Sequence, residues 1–377
     1  MNFSDLPKCK SYHPTSELCK LSGYYPNINT EQLVAAEQVL RAIENENLNF
    51  LTDKEDRFLK VLRFLRARKF NVKNTLNMIR EDVRWRSEDD RLKLSTESAE
   101  NVLQCDIPSL YQYFPVWFQG FDKQLRPVSY RQFGKFEIWN VLKLTSMEKL
   151  VRFHAWETEQ ALRSMYILSD KSGYNIETFV LVIDAAGWNM RLATSDAFAF
   201  IKGMAVTDSD HYPERLGTMV IINAPSVLSF AWRIIQGFLD NVTKDKIRIL
   251  GSNIEEWQPV LEHYIDRDQI PRQYGGTAPN LSADEAISAM NPPSLSISSS
   301  PFALTGDSSA KTISSVSSAS CKSPQPENTL PDGINTNGID SVVRMIDRAT
   351  QTDDGRLVMT SEMNRLVLKD TRGCSVQ

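Results

Sequence analysis

Between Arg57 and Lys73 the chain carries seven cations, Arg57, Lys60, Arg63, Arg66, Arg68, Lys69 and Lys73, and no acid. Guanidinium and ammonium groups at this density attract an anion, either a phosphate at a defined point or an anionic surface. A solvated helix face is the plainer reading. The helical wheel separates the members. Phe58, Val61, Leu62 and Leu65 define a buried face at about 100° per residue. Lys60 and Arg63 point well away from it and are predicted to dock on an anionic membrane. Arg68 falls about 70° from the apolar centre, at the border of the core, where it can reach inward to an anion.

No catalytic constellation accompanies this run. There is no GxGxxG after a strand, no GxxxxGK[ST], no GxSxG and no HExxH. His13, His154, His211 and His263 stand far apart. His154 and Glu157 have helical i, i+3 spacing without a third ligand and read as a surface pair. His211, beside Tyr212-Pro213, reads as structural. Five cysteines, odd in number and never at CxxC spacing, argue against a disulfide framework or zinc site and suit a reducing cytosol. No stretch reaches eighteen apolar residues and the N-terminus lacks an apolar h-region, so membrane contact is expected to be peripheral. Phe58 and Phe64 look like packing residues and no RNA or DNA motif is present, which disfavours nucleic acid. These features point to binding without enzyme activity, cofactor or metal.

The elements that must position the cations come in two groups. Residues 1–29 form an irregular leader. A helix from about Thr30 to Asn47, a basic helix beginning at Asp53 and a third helix capped by Asn71 make a helical lobe over residues 30–92. From Pro108 strands alternate with helices. Residues 113–118 and 127–132 suggest a hairpin, 146–168 a long helix, 178–184 a buried strand, 194–207 a helix, and 218–223 and 247–250 two further strands. This alternation specifies an α/β domain with a mainly parallel sheet, ending near the Gly275-Gly276 pair. Residues 278–377 form a serine-rich tail, with thirteen serines between 294 and 323 and a helical repeat at Ile339, Val342, Val343 and Ile346.

One segment does not fit an ordinary core helix. Of the fourteen residues Ser226–Leu239, nine are apolar and only Arg233 is charged. Val227, Leu228, Phe230, Trp232, Ile234, Ile235, Phe238 and Leu239 go round the whole circumference, so the helix needs burial on every side or a contact other than water. It is too short to span a bilayer, which takes about twenty residues. Either it is a buried core helix, or it is a movable wall with a lipid cavity behind it and a membrane in front.

Several segments together resemble the CRAL-TRIO lipid-binding family, in particular the yeast-type secretory phosphatidylinositol transfer proteins. They are LRFLRARKFNV (62–72), DKQLRPV (122–128), VLVIDAAG (180–187), HYPERLG (211–217), IINAP (221–225), FLDNVTKDKI (238–247) and QIPRQYGG (269–276). The resemblance implies a helical N-terminal lobe on an α/β lobe, residues 93–277, whose sheet floors a hydrophobic pocket. Ser226–Leu239 would be the gate that closes it. It further implies that Arg68, Thr243 and Lys246 hold the phosphate of phosphatidylinositol, with Glu214 supporting the lysine. The family positions that bind phosphatidylcholine fall on Phe118, Ser129, Thr158, Phe179 and Leu181, where the expected hydroxyls are missing or altered. A bulkier apolar second ligand suits Phe179 and Leu181 better.

The physics requires enclosure. A buried methylene is worth about 0.8 kcal/mol and a two-chain lipid carries roughly thirty, so extraction costs upwards of 20 kcal/mol unless the chains are reburied. The expectation is a cytoplasmic, peripherally membrane-associated, monomeric carrier of phosphatidylinositol and a second lipid, able to present phosphatidylinositol to lipid kinases. The alternatives are a carrier of a sterol, retinoid or tocopherol-like ligand, and a lipid-sensing adaptor acting through its tail.

Overall fold

The computed structural model describes residues 9–50, 55–88 and 91–290. The serine-rich stretch, the repeat at Ile339–Ile346 and the expected helix start at Asp53 lie outside these residues. The segment ahead of the first helix is irregular, as expected, but it is packed down. Tyr12 is buried and donates its hydroxyl to Glu177 at 2.9 Å, and the Ser11 carbonyl accepts from Asn175 N–H.

Three helices follow: α1 (Thr30–Asn45), α2 (Arg57–Ala67) and α3 (Val72–Ser87). Asn29 rather than Thr30 caps α1, through a capping box with Gln32; the capping oxygen must stand one residue outside the helix to reach the third N–H. Asp56 caps α2 by accepting from Phe58 and Leu59 N–H at 3.0 Å, and Asn71 caps α3. Leu33, Val39, Phe58, Leu62, Leu65 and Ile79 close one core among the three.

Two short helices, α4 (Ala99–Leu103) and α5 (Ile107–Tyr111), lead into the sheet. Its strands are β1 (Val116–Phe121), β2 (Pro127–Gln132), β3 (Phe179–Asp184), β4 (Leu216–Ile222) and β5 (Ile247–Ile249), side by side in that order. β1 and β2 form the expected antiparallel hairpin, and the rest pair in parallel. The connections carry α6 (Ile138–Leu144), α7 (Met147–Ser172), α8 (Ser195–His211), α9 (Leu228–Ile235) and α10 (Asn241–Asp245), and α11 (Ile254–Tyr264) and α12 (Ala283–Ser288) follow the last strand.

Strand alternation divides the sheet into two working faces. Val128, Tyr130, Val180, Val182, Val220 and Ile222 pack with Trp257 and Leu261 of α11 into a dry core, reinforced by the stacked rings of Trp117, Tyr130 and Tyr274. The opposite parity, Ser129 and Arg131 of β2 in register with Leu181 and Ile183 of β3, turns the other way. There Leu181, Ile183 and Ile221 meet Leu228, Trp232 and Leu239 from the α9 segment.

Two boundaries differ from expectation. The apolar segment 226–239 is not one helix: α9 starts at Leu228 and gives way to a 3-10 turn at Gln236–Phe238. At the other end the fold continues past residue 277. Ser282 and Glu285 form a capping box for α12, Phe118 N–H bonds to Ala289 O, and Met290 is buried in the main core.

Candidate functional site

The second sheet face floors a cavity of about 690 Å³. Leu181, Ile183 and Ile221 rise from the sheet, Phe198, Ile201 and Met204 come from α8, and Leu228, Ala231, Trp232 and Ile235 come from α9. The last four recur at i, i+3, i+4 and i+7, one stripe of a helix. The all-round apolarity of this segment therefore resolves into a cavity stripe, continued by Phe238 and Leu239, and an outer side on which Val227 is 45% exposed. Phe230 is half-buried, and Ile234 is buried.

One end of the cavity is polar. Ala67, Arg68 and Lys69 leave the C-terminus of α2 there, joined by Glu214 before β4 and by Thr243 and Lys246 around α10. Lys246 Nζ stands 3.1 Å from Glu214 Oε2. Glu214 holds φ +59°, a left-handed conformation unusual for a side-chain-bearing residue. It also accepts from the Tyr24 hydroxyl at 3.4 Å. Arg68 is loosely held, with Nη1 3.2 Å from the adjacent Ala67 carbonyl and Nη2 3.9 Å from Asp210. Thr243 donates its hydroxyl to Asp240 Oδ2 at 2.6 Å. Burial acts to raise the Asp240 carboxyl, but the hydrogen bonds from Thr243 outweigh it and hold the group below its ordinary value.

The lining holds a further cation, Arg66, which sequence reasoning did not single out. Arg66 donates to Glu177 at 2.7 Å and lies over the Tyr24 ring at 3.8 Å. Glu177 also takes the Tyr12 hydroxyl. Arg66 is thus held by protein groups at its two Nη atoms, to Gly23 O at 3.3 Å and Glu177 at 2.7 Å, whereas Arg68, two residues on, is held only by the adjacent carbonyl and a 3.9 Å approach to Asp210.

Comparison with known proteins now bears on this geometry. The CRAL/TRIO domain model matches residues 111–276, and the CRAL/TRIO N-terminal domain model matches residues 35–81. The Sec14 cytosolic factor of Schizosaccharomyces pombe is 31% identical over 258 residues, 67% of this chain and 85% of that protein. The chain belongs to the CRAL/TRIO family. A phosphatidylinositol/phosphatidylcholine transfer protein of Arabidopsis thaliana, SFH12, is 29% identical over 66% of this chain and 44% of its own length. The crystal structure of Sfh5 shares the fold, with a TM-score of 0.53 at 17% identity over 68% of this chain and 91% of that one.

Within this CRAL/TRIO chain, Lys60 and Arg63 do not form the docking face expected of them. Arg63 is 2% exposed, paired with Glu55 at 2.7 Å and bonded to Pro213 O at 3.3 Å. Lys60 is half-buried; its ammonium donates to Phe50 O at 2.6 Å, and burial pushes its pKa down to about 8. The wheel was referred to one apolar face, but α2 is enclosed between its helical neighbours and the 213–216 segment, so its opposite side is interior as well. Arg215 joins Arg63 on Glu55 at 2.9 Å, a structural pairing.

Of the residues assigned to a second ligand, Phe179 and Leu181 line the cavity, while Phe118, Ser129 and Thr158 do not. Phe118 packs against the main core, Ser129 is buried, and Thr158 spends its hydroxyl on the His154 carbonyl one turn back. In their place the cavity wall carries Arg131, His154 and Asp208. The surface pair read between His154 and Glu157 is absent. Both are buried, His154 Nε2 meets Asp208 at 2.8 Å, and Glu157 faces Arg131 at 3.4 Å. The alternation of β2 was the available signal, since Arg131 shares the parity of Ser129. His211 has the structural role expected, stacked on Trp85 with ring centroids 3.9 Å apart.

Proposed function

We propose that this protein binds phosphatidylinositol and exchanges it between membranes, as a carrier rather than an enzyme. Relatives are named Sec14 cytosolic factor and phosphatidylinositol/phosphatidylcholine transfer protein. The observation that carries the reading is that Arg68, Thr243, Lys246 and Glu214 all line the same largely apolar cavity. A phosphodiester wants charge-assisted donors, and Arg68 and Lys246 supply them. Glu214, 3.1 Å from Lys246, favours the charged ammonium beside an apolar wall. The Thr243 hydroxyl adds a donor by turning from Asp240 to the phosphate.

The acyl chains fill the cavity between the sheet and the α9 segment, and that segment is the gate. Val227, beside α9, and Val242, in α10, are 45% and 53% exposed and favour a peripheral membrane encounter. Among the described residues no helix is long and apolar enough to cross a membrane. A working place in the cytoplasm follows the relatives named cytosolic factors. Presentation of the bound headgroup to a lipid kinase is an extension of this reading. The helical lobe, residues 30–92, and the lipid lobe, residues 93–290, act as one body, with the 9–28 segment as a strap. Phosphatidylcholine is not the second cargo, because Phe179 and Leu181 offer its headgroup no hydrogen bond.

Transfer of labelled phosphatidylinositol and, separately, phosphatidylcholine between vesicles tests this. The full chain should move the first and not the second. Losing a hydrogen bond to a charged group costs about 1.5–3 kcal/mol, so Arg68→Ala and Lys246→Ala should each lower transfer about 10- to 100-fold. Undiminished transfer by both variants would remove the headgroup assignment.

A further inference from the structure

Three residues beside the headgroup cations hold backbone conformations that side-chain-bearing residues rarely adopt. Lys69, Phe70 and Glu214 have φ of +51°, +59° and +59°. Such residues persist only where the surroundings over-determine them. Lys69 and Phe70 follow Arg68 directly and turn the chain out of α2, with Phe70 N–H bonded to Leu65 O at 2.8 Å and Asn71 N–H to Arg68 O at 3.0 Å. Glu214 is the carboxylate that stands 3.1 Å from Lys246 Nζ.

Two adjacent residues of the strap, Gly23 and Tyr24, touch both places. Gly23 is buried, with φ +84°, and a Cβ there would stand 2.7 Å from the Phe70 ring. Only glycine lets that ring come so close. The Gly23 carbonyl accepts from Arg66 Nη1 at 3.3 Å, and the Arg66 guanidinium lies 3.8 Å from the centroid of the Tyr24 ring. The Tyr24 hydroxyl reaches Glu214 Oε2, the oxygen that also faces Lys246, at 3.4 Å. Burial raises that hydroxyl above its ordinary value, so it keeps its proton and donates. The strap is anchored elsewhere as well, by Tyr12 on Glu177 at 2.9 Å and by Lys10 on Asp170 at 2.6 Å. Gly23 and Tyr24 themselves do not line the cavity.

We infer that Gly23 and Tyr24 are positioning residues of the headgroup site. Tyr24 orients Glu214 and through it the Lys246 ammonium. Gly23 seats Phe70 and through it fixes the turn that presents Arg68 and Lys69 to the cavity. Two cations from distant parts of the chain are thereby set by one short piece of the strap. This rests on the carrier reading above, because it takes over that reading's headgroup residues.

The test is a double-mutant cycle on the full chain, read as phosphatidylinositol transfer between vesicles. Tyr24→Phe removes one hydroxyl, leaves the ring on Arg66, and should lower transfer about three- to tenfold. In a Lys246→Ala background the same change should cost less than about twofold, because no ammonium is left to orient. Lys10→Ala, which releases the strap only from Asp170, should leave transfer within about twofold. Amide exchange gives a readout that does not depend on residual transfer. Gly23→Ala, or Phe70→Leu where the first variant fails to fold, should speed exchange at residue 70 and Asn71 at least about threefold and leave Thr75 in α3 unchanged. Undiminished transfer by Tyr24→Phe, losses that multiply with those of Lys246→Ala, a Lys10→Ala loss as large as that of Tyr24→Phe, or exchange that rises equally at Thr75 would each overturn the positioning role. The unaltered protein separates the two levels. If it transfers phosphatidylinositol and the cycle shows no coupling, the role of the strap fails alone. If it transfers none, the carrier reading fails and takes this role with it.

Discussion

Replacing Glu55 by Gln keeps its shape and removes one charge from an enclosed ionic group at the start of α2. Glu55 accepts from Arg63 at 2.7 and 2.9 Å and from Arg215 at 2.9 and 3.0 Å, with the Tyr166 hydroxyl at 3.3 Å. Both guanidiniums are buried, at 2% and 4% exposure. Removing one member of a buried ion pair costs about 3–5 kcal/mol, because the partner is left uncompensated. Two cations are stranded here, so the upper end applies. The loss should depend on pH. Burial pushes the Glu55 carboxyl up, but Arg215 and Arg63 outweigh it and hold the group well below the ordinary range. A lowered folded-state value gives stability that is complete above the unfolded value of about 4.3 and is lost as pH falls below it. Urea unfolding should show a deficit of about 3–5 kcal/mol at pH 7. Below pH 4.3 the deficit should shrink by about 1.4 kcal/mol per unit. A deficit under about 1 kcal/mol at pH 7, or one that does not narrow in acid, would refute the account of Glu55 as the joint between α2 and the strand β4.

Further outcomes can be checked on the same protein. A Cβ at Gly134 would collide with the Ala186 backbone carbonyl, so Gly134→Ala should cost about 1–3 kcal/mol in thermal unfolding. Asp56→Ala removes two capping hydrogen bonds from α2 and should cost about 1 kcal/mol. Val227 stands 45% exposed on the outer side of the gate. Val227→Asp should therefore leave the melting temperature within a degree or two while lowering transfer from vesicles about tenfold, as expected of a charge placed where the gate meets lipid. Unchanged transfer would take Val227 off the membrane-facing surface.

The strands of the sheet were legible because β3 and β4 are apolar on both faces, and runs such as Thr178–Asp184 have no other plausible home. The cavity was legible only in part. Val227, Leu228, Phe230, Trp232, Ile234, Ile235, Phe238 and Leu239 go round the whole segment, which left a buried core helix and a wall of a lipid cavity both open, and the family resemblance favoured the second. What stayed hidden was enclosure by distant chain. Nothing local to α2 reveals that Glu55 and Pro213 cover the side of Arg63 that the wheel turned outward. Likewise nothing local to α7 reveals that Arg131, far back in the chain, makes His154 and Glu157 interior. The short helices α4, α5 and α12 have five or six residues each, too few turns for a period to emerge. In α12 the Ser282/Glu285 capping box was the readable sign, and it lies beyond the family match ending at residue 276.

The strap formed by residues 9–28 has a consequence for the order in which the molecule is completed. Tyr12 and Tyr24 precede Glu177 and Glu214, to which they bond, by 165 and 190 residues. Closing so long a loop is entropically unfavourable until the sheet already holds the far end in place. The early segment must therefore wait, and it docks after β3 and β4 have paired. Arg66 and Lys246 acquire their full set of neighbours only at that moment. The polar end of the cavity is thus finished last, on a protein whose apolar floor has already formed.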